Sequence, residues 1–301
     1  MREVCCTICG RADTELVMMN SGYSLVRCKH DGLVYVNPQP DKDELERFYA
    51  SETYFAREQG ATIGYANYLA DKPALVKNTG RIIQELKKWR PHGKFFDMGC
   101  AHGFALELAR TAGYEVFGND LNEDAIRYAQ ETLHLPNVRA GYADQFAAHY
   151  GTFDIVTMVG TIEHYQDPKR ELTTAGRLLK PGGYLAIETV DFDSIIGRGT
   201  IRPPEHLYYF SVATMETFLT RNGFEIVLVR PRRGFNVVYF TVEDFIVRAF
   251  DYFDRLTKHS ALKGLLQRTK NALLVPARKF GIAERVMPAI DGQFTTIARR
   301  V

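Results

Sequence analysis

Apolar and polar positions along the 301-residue chain change period repeatedly, and the changes divide it into elements. From residue 95 to residue 189, short apolar runs alternate with amphipathic stretches of helical spacing. The runs predict strands at 95–98, 114–119, 138–141, 153–159 and 183–189. The stretches between them predict helices over 104–112, 123–133 and 169–179. Strand and helix in this order build a mostly parallel sheet with helices on both faces, an α/β fold. Ser211 can cap a further helix, 212–222, which Gly223 ends. A sixth strand follows at 224–230, and the alternation over 293–299 gives a seventh.

The flanks follow other rules. Residues 1–40 read as a small separate unit in which strand-like 23–27 and 33–36 flank a turn. Forty residues bury too little to hold themselves, and Cys6-Thr7-Ile8-Cys9-Gly10 supplies a C-x-x-C-G knuckle. A second knuckle, Cys28-Lys29-His30-Asp31-Gly32, is C-x-x-D-G, so a zinc ribbon is expected. Its candidate ligands are Cys6, Cys9, Cys28 and Asp31. His30 is the rival for the fourth place through C-x-H, and Cys5 is a further alternative. Residues 41–90 form a helical lid or linker, with helices predicted at 44–50 and 73–89. An aromatic cluster of Tyr54, Phe55, Tyr65 and Tyr68 lies between them.

The segment Asp97-Met98-Gly99-Cys100-Ala101-His102-Gly103 is where the chemistry concentrates. A buried strand runs into a D-x-G-x-x-x-G turn with a helix behind it. Glycine lets the backbone approach a ligand, and the helix start presents free N–H groups. The next strand ends at Asp120, where a ribose-binding carboxylate belongs in a nucleotide-binding βαβ unit. A dinucleotide needs G-x-G-x-x-G, and Ala101 stands where its middle glycine would be. The turn therefore suits a nucleoside without a diphosphate.

With "FFDMGCAHGFALELA", "VFGNDLNEDAIRYA", "AGYADQF", "FDIVTMVGTIEHYQDP" and "LLKPGGYLAIET" in that order, residues 54–224 resemble the class I S-adenosylmethionine-dependent methyltransferases. The resemblance implies a Rossmann-like core over 91–241 whose last strand, 291–301, runs antiparallel at the sheet edge. It also implies roles. Gly99, Cys100 and Gly103 approach the cofactor, and Asp97 lies near its methionine amine. Asp120, with Leu121, takes the ribose hydroxyls. Asp144 takes the adenine amino group, with Gln145 beside the ring. Val159 flanks the donor, and Tyr54 and Tyr65 close over it.

Two Glu-His pairs mark the acceptor side. Glu163-His164 follows the fourth strand, and Glu205-His206 follows a long loop after the fifth. Histidine can take a hydroxyl proton near neutral pH. His206 is the first choice for the base, oriented by Glu205 or Glu163, and His164 the second. Similar enzymes that combine a ribbon with an "EHLYYFS" segment often serve polysaccharide or natural-product pathways. The expected reaction is therefore O-methylation of a small polar acceptor such as a sugar, free or lipid-linked. Sugar C-methylation, nucleic-acid methylation and a non-catalytic binding module are the alternatives. An Asn/Asp-Pro-Pro motif for amino methylation is lacking, since Val159-Gly160-Thr161-Ile162 stands in its place.

Composition narrows the picture further. An apolar content of 46% supports a real core, and a net charge of +2 does not mark a nucleic-acid binder. No run of about 18 apolar residues offers a membrane span. The first residues have no apolar segment of signal-peptide type, and the five cysteines are an odd number, so a reducing cytoplasm is expected. Residues 242–290 read as an amphipathic helical insertion. Within 255–285, eight basic residues face one acidic residue, giving +7. That face would suit an anionic lipid surface, an anionic substrate or a second copy of the chain.

Overall fold

The computed structural model describes residues 1–49, 54–55, 68–193, 201–233 and 290–301. Tyr65 and all but the last residue of the insertion expected at 242–290 lie outside the described residues. The elements are β1 (Thr14–Asn20), β2 (Tyr23–Cys28), β3 (Val34–Val36), α1 (Lys42–Tyr49), α2 (Lys72–Leu86), β4 (Gly93–Met98), α3 (Phe104–Thr111), β5 (Tyr114–Asp120) and α4 (Glu123–Glu131). They continue with β6 (Val138–Ala140), β7 (Phe153–Val159), α5 (Pro168–Leu178), β8 (Leu179–Val190), β9 (Tyr208–Tyr209), α6 (Val212–Thr220), β10 (Phe224–Arg233) and β11 (Ile290–Arg300).

The larger sheet has seven strands in the order β10-β11-β8-β7-β4-β5-β6. β4 lies parallel to both β5 and β7, and β7 lies parallel to β8. β11 runs antiparallel to β8, with Thr295 opposite Glu188. The result is a Rossmann-like α/β sheet. Its alternation is visible in the core: Phe96, Met98, Val156, Met158 and Ile187 point to one face, and Phe95, Ile155, Ala186 and Ile297 to the other. Three helix starts carry side-chain caps. Asn122 and Asp167 accept from Ala125 and Arg170, and Ser211 forms a capping box with Thr214. The predicted helix at 169–179 stops at Leu178, because Leu179 turns extended and opens β8.

A second, four-stranded sheet has the order β1-β2-β3-β9. β1 and β2 form a hairpin whose central residues, Ser21 and Gly22, both have positive φ, as a type I′ turn requires. β9 lies far from β3 in sequence and pairs antiparallel with it. Residues 1–232 and 292–301 accordingly form one compact unit. The amino-terminal segment, read from sequence as separate, shares one hydrophobic core with a face of the larger sheet: Cys6, Ile8, Leu25 and Val36 join Phe96, Met158 and Phe210.

Candidate functional site

The two cysteine knuckles are congruent. Gly10 donates its N–H to the Cys6 carbonyl at 2.8 Å, and Gly32 to that of Cys28 at 2.9 Å. Both glycines hold the left-handed conformation, at φ +75° and +77°. The knuckles bring Cys6, Cys9, Cys28 and Asp31 together, with donor atoms all within 4.8 Å of one another. Cys9 Sγ lies 3.6 Å from Cys28 Sγ, and Asp31 Oδ2 lies 3.8 Å from the sulfurs of Cys6 and Cys28. A tetrahedron with metal–sulfur bonds of about 2.3 Å has edges of about 3.8 Å, so the donor set fits zinc. Burial pushes the Cys6 thiol up, and the neighbouring Cys28 adds to the shift. His30 turns away to Arg11, and Cys5 is exposed. The other Asp31 oxygen accepts from Arg221, just beyond α6, at 2.8 Å.

At the carboxyl ends of β4, β5 and β7 lies a cavity of about 340 Å³, within the range of small-molecule sites. Its wall includes Gly99, Ala101, Asp120, Leu121 and Val159, together with Tyr49, Tyr54, His164 and Tyr165. Gly99 sits at φ +75°, and a Cβ there would come within 2.4 Å of Thr161 Cγ2. Asp120 spans strand and turn: its Oδ2 accepts from the Ala101 N–H at 2.8 Å and its Oδ1 from the Asn122 N–H at 2.9 Å. Burial raises its carboxyl above the ordinary range, and those backbone donors oppose the shift. This backbone cradle with a carboxylate at its edge fits a nucleoside cofactor.

The other expected cofactor residues divide. Asp97 is buried beneath the turn, where Thr157 Oγ1 donates to its Oδ1 at 2.6 Å, and burial lifts its carboxyl to about 7. Cys100 is buried, and Gly103 caps α3 at φ +81° against Leu135. Asp144 and Gln145 are exposed, and neither lines the cavity. Asp144 instead accepts from Arg170 at 3.0 Å.

The Glu-His pairs do meet. His164 lines the cavity, while His206 lies behind it with ring centroids 4.8 Å apart. The first choice from sequence is thus only 4% exposed and does not line the cavity. Burial holds its imidazole well below the usual range, hence neutral. Glu163 and Glu205 are buried too. His164 Nδ1 lies 2.8 Å from the Glu205 carbonyl oxygen. A carbonyl only accepts, so Nδ1 carries the proton.

More than half of the chain, residues 68–229, matches the family model described as a methyltransferase domain. The chain belongs to the methyltransferase domain family. Among relatives of this methyltransferase domain, the ubiquinone biosynthesis O-methyltransferase of Thiobacillus denitrificans is 35% identical over 103 residues, covering 33% of this chain and 44% of that one. The protein of the same name from Aromatoleum aromaticum is 31% identical over 150 residues, covering 41% and 64%. The chain therefore spans less than two thirds of the length of these curated relatives. In fold, it is similar to an S-adenosylmethionine-dependent methyltransferase from Archaeoglobus fulgidus, at TM-score 0.50 and 19% identity over 77% of this chain and 99% of that one. A chain of the complex between the Haloferax volcanii Trm112 methyltransferase activator and a methyltransferase aligns at TM-score 0.53 and 15% identity, over 77% and 93%.

Sequence reasoning passed over Tyr49 and Arg2. Tyr49 donates to the Glu205 carbonyl and lies 3.2 Å from His164 Nδ1, joining α1 to both Glu-His segments. Arg2 lines the cavity from the amino-terminal segment. Neither belongs to a local motif: the contacts of Tyr49 with His164 and Glu205 span 115 and 156 residues, and no periodicity records them.

Proposed function

We propose that the chain transfers the methyl group of S-adenosylmethionine to a hydroxyl oxygen of a small polar acceptor, with a sugar as the leading candidate. The observation that carries this reading is that Asp120 and His164 line one and the same cavity. S-adenosylmethionine supplies an activated methyl on a sulfonium whose leaving thioether is neutral. Gly99, Ala101 and Asp120 would hold the nucleoside, with Leu121 and Val159 packing beside it and Tyr54 covering it. As the C–S bond breaks and the C–O bond forms, the hydroxyl proton leaves on the side of the Glu163–His164–His206 cluster, of which His164 is the cavity face. His164 therefore replaces His206 as the residue expected to meet the acceptor.

The names of the O-methyltransferase relatives support an oxygen acceptor. The rest of the cavity supports a polyhydroxylated one: Arg2, Lys42, Glu46, Asp167, Arg170 and Glu171 give it charged donors and acceptors. A phenolic hydroxyl is the second reading, favoured by Tyr49, Tyr54 and Tyr68 in the same lining. Zinc in the cysteine cluster would be structural, fastening the knuckles that carry β2 and β3. The test is incubation of the chain with methyl-labelled S-adenosylmethionine and parallel panels of sugars and phenols. Label should appear in a methyl ether of one panel. His164→Ala should lower turnover by about 10²-fold with cofactor affinity within a few fold. Absence of cofactor binding by calorimetry would end the reading.

A further inference from the structure

We infer that Glu163, His164 and His206 form a second metal site, one that takes a divalent first-row transition ion with nitrogen and oxygen ligands. A carboxylate oxygen of Glu163 and one ring nitrogen of each histidine all lie within 4.8 Å of one another. Glu163 is 2% exposed and His206 4%. Glu163 Oε2 and His206 Nδ1 are both buried without a hydrogen-bond partner among the described residues. A buried polar atom left unsatisfied is costly, so these two call for an occupant.

Thr189 is the neighbouring hydroxyl of Glu163, and His206 Nδ1 is left without a partner among the described residues. The nearby cation, Arg202, reaches Glu205 at 3.6 Å. The Glu205 carbonyl takes the Nδ1 proton of His164 and leaves the lone pair on Nε2. A ligating histidine characteristically donates its other ring N–H to a backbone carbonyl in this way. Tyr49 steadies the same ring from the cavity side. Two imidazoles and one carboxylate are a ligand set for zinc, manganese, iron or cobalt, and they leave coordination positions open. The donors are distinct in kind from the thiolates of Cys6, Cys9 and Cys28.

Binding stands on this cluster alone. Its use rests on the methyl-transfer reading: an ion held by His164 at the cavity wall would take the acceptor's oxygen as a ligand and lower the pKa of its hydroxyl.

The test uses the full chain, stripped with chelator and titrated with Co2+ under equilibrium dialysis. Thiolate-to-cobalt charge-transfer absorption marks the cysteine cluster and should saturate at one equivalent. A second equivalent should bind without adding to that absorption. Cys9→Ser should lose the charge-transfer band and keep the second equivalent. Glu163→Gln and His206→Ala should each weaken the second by at least about 10-fold. Wild-type protein that takes up only the thiolate-bound ion overturns the site, whether or not the variants fold. So does a Glu163→Gln protein that keeps the second ion. Cofactor calorimetry on the same samples reads the methyl-transfer proposal separately.

Discussion

Leu207 donates its backbone N–H to the carbonyl of Glu163 at 2.8 Å, and its own carbonyl accepts from Val36 at the same distance. One peptide therefore links β3 of the amino-terminal sheet to the turn after β7. His206 precedes it and Tyr208, paired with Tyr35, follows it. The cysteine knuckles lie at the other end of that sheet, so backbone hydrogen bonds connect the strand after Cys28 with the turn that carries Glu163.

Loss of the cluster should therefore be felt in the whole unit. Cys28→Ser is expected to abolish zinc binding and to lower Tm by roughly 5 °C or more, measured by metal content and calorimetry. Asp31→Ala should weaken zinc, because its Oδ2 lies against two sulfurs. His30→Ala should keep it. Zinc retained by Asp31→Ala and lost by His30→Ala would reverse the assignment.

The two carboxylates read from sequence as nucleoside ligands should separate in a binding assay. Asp120→Asn is expected to weaken S-adenosylmethionine by about 10- to 100-fold, since a charged acceptor in a buried site is worth about 1.5–3 kcal/mol. Asp144→Asn should change affinity by less than about 3-fold, because Asp144 is exposed and paired with Arg170. Isothermal titration of both variants decides between them.

Gly99 should tolerate no side chain. Gly99→Ala would meet Thr161 Cγ2 at 2.4 Å and would hold alanine at φ +75°. A loss of about 1–3 kcal/mol in urea unfolding is expected, together with weaker cofactor binding. A variant as stable as wild type would show that the turn can relax.

Asp97 makes stability depend on pH in an unusual direction. Burial raises its carboxyl from 3.8 to about 7 in the folded chain. Between roughly pH 4 and pH 7 the folded state keeps a proton that the unfolded state has lost. Its contribution to stability therefore falls as pH rises through that window, by at most about 4 kcal/mol, and levels off above it. The stability difference between wild type and Asp97→Asn, followed by denaturant midpoints from pH 4.5 to pH 8 without cofactor, should drift in favour of the variant. A difference independent of pH would remove Asp97 as the cause.

The sheet was legible because its period is local. The apolar run at 153–159 becomes β7 without change, and the alternation at 293–299 becomes the core of β11. β1 escaped notice because it covers little: Leu16 and Met19 are more than half exposed, so no buried face marked it. β9 escaped because two residues carry no period, and only their partners in β3 make them a strand. In the site, Asp120 and His164 were legible as ends of strands or the turns after them. The order of His206 and His164 was not, since depth behind a wall is a property of packing.

The pairing of Val34–Val36 with Tyr208–Tyr209 also sets a rule for building hybrids. A catalytic core transplanted from a relative would arrive with a short strand shaped for some other hairpin. Grafts of this family should therefore exchange the knuckles and the Tyr-Tyr segment as a matched pair, or the Glu-His dipeptide beside it will lose its footing.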